Sequence, residues 1–160
     1  MSWQEIGSTT LSAAAPSVTF SSGLSGYKFF RLTIYIVNDA NSGQATVTLN
    51  GASTAYAEQR VQVASTTVIG SRSAPAYLVA TDGIGANHRG NISLLIAKPA
   101  AGVKAQGILQ SGQGDTTAIN LNLNGGEWDN TADLISSITI NKSSGNFAAG
   151  TSILLEGLAA

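Results

Sequence analysis

The sequence predicts an all-β protein: an antiparallel β-sandwich, jelly-roll-like, of about 8–10 strands. Two observations carry that expectation. Apolar residues recur with a period of two along most of the chain, which is the mark of a strand with one buried face. Between the apolar runs stand Gly and Asn pairs, the residues that accept the positive φ of tight hairpin turns. The 160 residues are expected to form one sandwich domain spanning positions 1–160.

The strands follow in order. In Phe29-Phe-Arg-Leu-Thr-Ile-Tyr-Ile-Val37, Phe30, Leu32, Ile34 and Ile36 form one apolar face, with Arg31, Thr33 and amphipathic Tyr35 on the other. Ala45-Thr-Val-Thr-Leu49 repeats the pattern with threonines outward. Residues 54–64 begin with good helix formers, but Val61 and Val63 then alternate with Gln62 and Ala64, so a strand is expected there. Residues 92–96, 138–140 and 153–155 continue the series. Ile119-Asn-Leu-Asn-Leu-Asn124 reads as a strand with its leucines inward and its asparagines outward. The turns are placed at Asn41-Ser42-Gly43, Asn50-Gly51, Asp82-Gly83, Asn124-Gly125-Gly126 and Ser144-Gly145-Asn146. The segment 99–103 reads as an interstrand loop.

Charge is scarce. Only 11% of residues are charged, against about 25% in ordinary domains. Charge normally keeps surfaces apart and blunts sheet edges. Ser, Thr, Asn and Gln replace part of that function, and burial in an assembly is expected to replace the rest. Eight basic residues face nine acidic ones, net −1, with no basic patch. Nucleic acid is therefore not an expected partner. No apolar run approaches the ~20 residues of a membrane helix, and the first twenty residues lack the features of a signal peptide. The expected site of synthesis is the cytoplasm, with no membrane partner.

Reactive constellations are sparse. There are no cysteines, so disulfides and thiolate sites are excluded. His88, the only histidine, reads as a loop residue rather than a general base. No Gly-x-Ser-x-Gly elbow occurs, and the Ser25-x-x-Lys28 spacing leads into a strand rather than the helix that would bring Lys back to Ser. Asp39 to Gly43 resembles the start of a calcium loop, but Gln44 and Asn50 stand where glycine and glutamate are needed. A hairpin turn is expected instead. Glu127, Asp129 and Asp133 surround Trp128 and read as a solvated loop. Asn91 and Asn141 match glycosylation sequons by chance in a Ser-rich chain. No catalytic residue, metal or cofactor is expected, and the protein is not expected to be an enzyme. Among the few aromatics, Trp3, Tyr35 and Trp128 are the candidates for a partner interface, aromatics being enriched in cores and interfaces.

Two stretches carry a resemblance. The first is Phe20-Ser-Ser-Gly-Leu-Ser-Gly-Tyr-Lys-Phe-Phe-Arg-Leu-Thr-Ile34, followed by Val47-Thr-Leu-Asn-Gly51 and Tyr56. The second is Gly126-Glu-Trp128, then residues 135–140, then Gly145-Asn-Phe-Ala-Ala-Gly-Thr-Ser-Ile-Leu-Leu-Glu-Gly157. Together they resemble a family of small β-sandwich virion proteins of tailed bacteriophages, with departures at residues 51–54, which are not acidic, and at Glu156, where tyrosine is usual. The resemblance implies a structural virion component. Its first expectation is a capsid decoration, or cement, protein on the capsid surface, binding the major capsid protein at capsomer junctions as a homotrimer. The alternative is a tail or fibre module binding host surface glycans, an expectation that rests on the aromatics and on the outward asparagines of residues 119–124.

Overall fold

The computed structural model describes residues 2–64, 66–81, 84–114 and 119–159. The turn expected at Asp82-Gly83 lies outside them. The described residues form twelve strands and no helix: β1 Gln4–Thr10, β2 Ser17–Phe20, β3 Phe29–Val37, β4 Ala45–Leu49, β5 Tyr56–Ala64, β6 Thr67–Ser73, β7 Val79–Ala80, β8 Arg89–Ala97, β9 Ala105–Gly114, β10 Ile119–Trp128, β11 Ile138–Lys142 and β12 Ser152–Leu158. The fold class is all-β and every strand pairing is antiparallel.

Two sheets share the strands. The larger runs β1-β12-β3-β8-β9-β10-β5-β6 and the smaller β2-β11-β4-β7. Four pairs nest inside one another along the chain: β1 with β12, β2 with β11, β3 with β8, and β4 with β7. Two hairpins, β5–β6 and β9–β10, are inserted between nested partners and widen the large sheet beyond β8. They are why the strand count exceeds the 8–10 expected. Residues 105–114 and 67–73 lack clean alternation because glycine and polar residues occupy inward positions there.

The core lies between the sheets. Phe30, Leu32, Ile34 and Ile36 of β3 are buried, as their alternation predicts, beside Leu94 and Ile96 of β8. Val47 and Leu49 of β4 and Ile138 and Ile140 of β11 supply the other layer. Full burial of one such side chain contributes about 1.5–3 kcal/mol. The 54–64 ambiguity resolves to strand. Tyr56 is buried and its ring stacks on Trp128, a cross-strand pair fixed by the β5–β10 register.

The C-terminal segment closes the large sheet. β12 lies between β1 and β3 and bonds to both. Ahead of it, Gly145 and Gly150 hold φ of 68° and 88°, which side chains other than glycine rarely adopt. Phe147, between them, is fully buried and exchanges backbone hydrogen bonds with Ala15.

Candidate interaction surface

The register of the large sheet assigns each residue to a face. Phe30, Ile96, Gly107, Gly126 and Glu58 are successive cross-strand neighbours on the inner face. Shifting one residue along each strand moves to the outer face. By that parity Asn122 and Asn124 point inward, and Leu121 and Leu123 point outward.

This corrects the expectation for residues 119–124. Asn124 is 0% and Asn122 4% exposed, whereas Leu121 and Leu123 are 53% and 50% exposed. The cause is Trp128, which sits on the same strand and parity as Asn122 and Asn124 and is itself 2% exposed. A strand without a bulge cannot bury Trp128 and turn Asn124 outward. The inward amide nitrogens have partners: Asn124 Nδ2 donates to Glu58 Oε1 at 3.1 Å, and Asn122 Nδ2 donates to Ser111 Oγ at 3.3 Å, while Asn122 Oδ1 is buried without a hydrogen-bond partner among the described residues. Hydrogen bonding of this kind is what makes a buried amide tolerable. The buried polar layer on the inner face was not anticipated. Its one sequence signal was the parity of Asn124 with Trp128.

The outer face carries most of the exposed apolar surface. Eleven large apolar side chains are exposed among the described residues, and nine of them lie on strands of the large sheet. Eight of those nine share the outer face, Ile69 being the exception. The same face holds an open trough of about 860 Å³ that runs from β1 across β12, β3, β8, β9 and β10 to β5. Thr33, Tyr35 and Ser93 line its middle, and Leu121, Leu123 and Val61 line one end.

The three candidate interface aromatics are separated. Tyr35 is 38% exposed and lines the trough. Trp3 is half-buried, with the Arg31 guanidinium 4.8 Å from its ring centroid, a cation–π distance. Arg31 Nε and Nη2 donate to Glu156 Oε2 and Oε1 at 2.7 and 2.8 Å. This paired hydrogen bond raises the Arg31 pKa and lowers that of Glu156. Trp128 is a core residue and reaches no surface.

The other sequence candidates resolve into structural roles. Asp39 Oδ1 accepts from the Asn41 N–H at 2.8 Å and Oδ2 from the Asn146 N–H at 2.7 Å. These bonds, the Asn41 one first, hold its carboxyl below the usual range and tie the 39–43 turn to the 144–146 turn. Lys104 Nζ bridges Glu127 and Asp129 at 2.8 and 3.0 Å, and Asp133 accepts from Asn130 Nδ2 at 2.8 Å. No cluster of three metal-ligating side chains occurs among the described residues. His88 is half-buried and its ring lies against Gly85. A comparison with protein-family models, curated proteins and solved structures finds no match to this chain.

Proposed function

We propose that the protein is a structural component of a tailed-phage virion, specifically a capsid decoration protein that binds the major capsid protein at capsomer junctions. Its role in this reading is to bury surface rather than to catalyse a reaction, and the reading takes the nested strand pairs as a jelly-roll arrangement. The resemblance of residues 20–34, 47–51 and 56, and of 126–128, 135–140 and 145–157, to phage virion proteins supports the family reading. The observation that carries the assembly role is the gathering of exposed apolar side chains on one outer sheet face. Exposed apolar surface gathered on one face marks interaction sites, and a chain with 11% charged residues has little else to keep it apart from partners.

Decoration proteins act by covering junctions between capsomers, and a contact of about 1,600 Å² is sufficient for stable binding. The homotrimer implied by the resemblance belongs to this reading, with three copies per threefold site. The test is co-sedimentation of purified protein with empty expanded capsids, followed by cryo-microscopy. Stoichiometric density on the head supports the proposal, and density confined to the tail removes it. The glycan-binding alternative loses one of its two supports, because Asn122 and Asn124 are buried, and keeps the other in exposed Tyr35.

A further inference from the structure

Two Asn-Gly pairs occur in the chain, Asn50-Gly51 and Asn124-Gly125. At such a pair the glycine nitrogen can attack the asparagine Cγ, and no side chain on glycine hinders the approach. The Gly N–Cγ bond forms and the N–H proton is lost. The Cγ–Nδ2 bond breaks and ammonia leaves. Water then opens the five-membered imide to an acid, joined to glycine through its α- or its β-carboxyl. Nothing is oxidised or reduced. The fold places the two pairs in opposite settings.

Asn50 and Gly51 turn the chain away from β4 of the small sheet on its way to β5 of the large one. Their φ of 52° and 66° are the positive pair of a type I′ turn, and the Ala52 N–H closes it on the Leu49 carbonyl at 2.9 Å. The Gly51 N–H, the attacking group, makes no hydrogen bond among the described residues. Gly51 is exposed, and a Cβ there would meet nothing within 4 Å, so water has access. The carbon under attack is polarised. Asn50 Oδ1 accepts from the Ser136 N–H at 2.7 Å, the Ser137 N–H at 3.1 Å and the Ser136 hydroxyl at 3.1 Å. Donors gathered on one carbonyl oxygen stabilise the charge that develops there when its carbon is attacked. The Asn50 N–H donates to the Ser137 carbonyl at 3.0 Å, and Nδ2 donates to the Leu134 carbonyl at 2.8 Å. Both bonds hold residue 50 against the 134–137 segment, which orders the reacting group before any bond forms.

At Asn124-Gly125 each condition is reversed. Asn124 is 0% exposed. Gly125 is paired with Ile108 on one side and Gln59 on the other, and a residue flanked by antiparallel partners commits its N–H to one of them. The nucleophile is engaged and water is excluded. We infer that Asn50 is a self-modifying residue: in the folded protein the Gly51 nitrogen displaces its amide nitrogen, whereas Asn124 keeps its own. The acid at position 50 retains an oxygen for the serine donors. Its second oxygen faces the Leu134 carbonyl where Nδ2 had donated, so an attraction becomes a repulsion. A chain of net charge −1 gains a further negative charge at the turn between its two sheets. The inference stands apart from the virion reading.

The test is site-resolved mass spectrometry of the full chain, held in mildly alkaline buffer in the folded state and, in parallel, in concentrated urea. The folded chain is expected to gain acid at position 50 at least about tenfold faster than at position 124, because the ladder at 124 opens only by sub-global unfolding. In urea that ratio is expected to collapse toward one. The imide, seen as loss of ammonia, should build up at position 50 alone in the folded chain. Ser136→Ala removes one of the three donors. It is expected to slow the folded-state reaction by about three- to tenfold, less than the ~10²–10³-fold of a full oxyanion donor, because two backbone donors remain. If that variant fails to fold, the comparison of folded and urea-treated parent decides alone. An Asn50 that keeps its amide in the folded chain and loses it in urea overturns the inference, for the turn then protects the residue rather than activating it. So does equal loss at both positions in the folded chain, a ratio that urea leaves unchanged, or a folded Ser136→Ala chain that reacts at the parent rate.

Discussion

Tyr56 stacks on Trp128 inside the core, with ring centroids 6.2 Å apart and planes 24° from parallel. The Tyr56 hydroxyl accepts from the Leu49 N–H at 2.9 Å and donates to the Leu49 carbonyl at 3.2 Å. One side chain thus joins β5 of the large sheet to β4 of the small one. Tyr56→Phe keeps the stack and leaves both Leu49 backbone groups without this partner. Stranding a buried polar group costs about 1–3 kcal/mol, so a lowered melting temperature with an unchanged spectrum is expected. Trp128→Ala removes the stack and opens a cavity, at a cost of about 3–5 kcal/mol. Urea titration of the two variants measures both. A Trp128→Ala protein as stable as Tyr56→Phe would show that the ring is not held in the core.

Adjacent glycines of β10 are expected to behave oppositely. A Cβ on Gly126 would lie 1.7 Å from the Leu78 carbonyl oxygen, inside the backbone that covers the inner face. A Cβ on Gly125 would meet nothing within 4 Å. Gly126→Ala must displace the 78–79 segment, and a loss of about 3 kcal/mol or more is expected, at the upper end of overpacking costs. Gly125→Ala points to the open outer face and is expected to stay within about 0.5 kcal/mol of the parent. Thermal melts of the pair check the inner and outer assignment of the whole strand, because a one-residue slip exchanges the two outcomes.

The same parity explains how much was legible in the sequence. Where one face of a strand is apolar and the other polar, as in Phe29–Val37, alternation fixed both strand and orientation. In Ile119–Trp128 alternation identified the first half of the strand but assigned its faces backwards, and the turn expected at Asn124-Gly125-Gly126 is instead paired strand, continuous to Trp128. Hydropathy favours Leu121 and Leu123 inside. The strand instead follows Trp128, whose area outweighs either leucine, and the inward amide nitrogens are partnered by Glu58 and Ser111. Pattern alone does not reveal that pairing, since Glu58 lies more than sixty residues away. The trough was illegible for a related reason: it is assembled from seven strands whose neighbours are set by sheet order. Of the proposed interface aromatics, Tyr35 is on the trough because its strand alternates cleanly. Trp128 is in the core because a large ring fits where the sheets meet.

Acidification should weaken the tie between β3 and β12. The Arg31 hydrogen bonds lower the pKa of Glu156 below its ordinary 4.5. A carboxyl with a lowered folded-state pKa contributes stability that is fully present above its unfolded value and lost as pH falls through the folded one. The melting-temperature gap between the parent and Glu156→Gln is therefore expected to be constant near neutrality. It should shrink as pH drops below about 4.5, the range of an unperturbed glutamate. Added salt should narrow it only in part, because the pair is half-buried. A gap that widens in acid would show that the carboxylate is not stabilised by Arg31 in the fold.

Removal of residues 145–160 should abolish folding rather than leave a folded body lacking an arm. Three losses coincide. Phe147 leaves the core, where it is 0% exposed. The Ala148 N–H no longer bonds the Val37 carbonyl at 2.8 Å. β12 is withdrawn from between β1 and β3, leaving both with an unpaired edge. Ile153 and Leu155 go with it, each buried against the second sheet's layer and each contributing about 2–5 kcal/mol by the measure of large-to-small core substitutions. Their sum alone is comparable to the whole stability of a domain, about 5–15 kcal/mol. The truncated chain is expected to show no cooperative melt and no near-ultraviolet circular dichroism. A sharp thermal transition in that chain would mean that the segment is an arm added to an independently stable sandwich, and that the large sheet closes without its second strand.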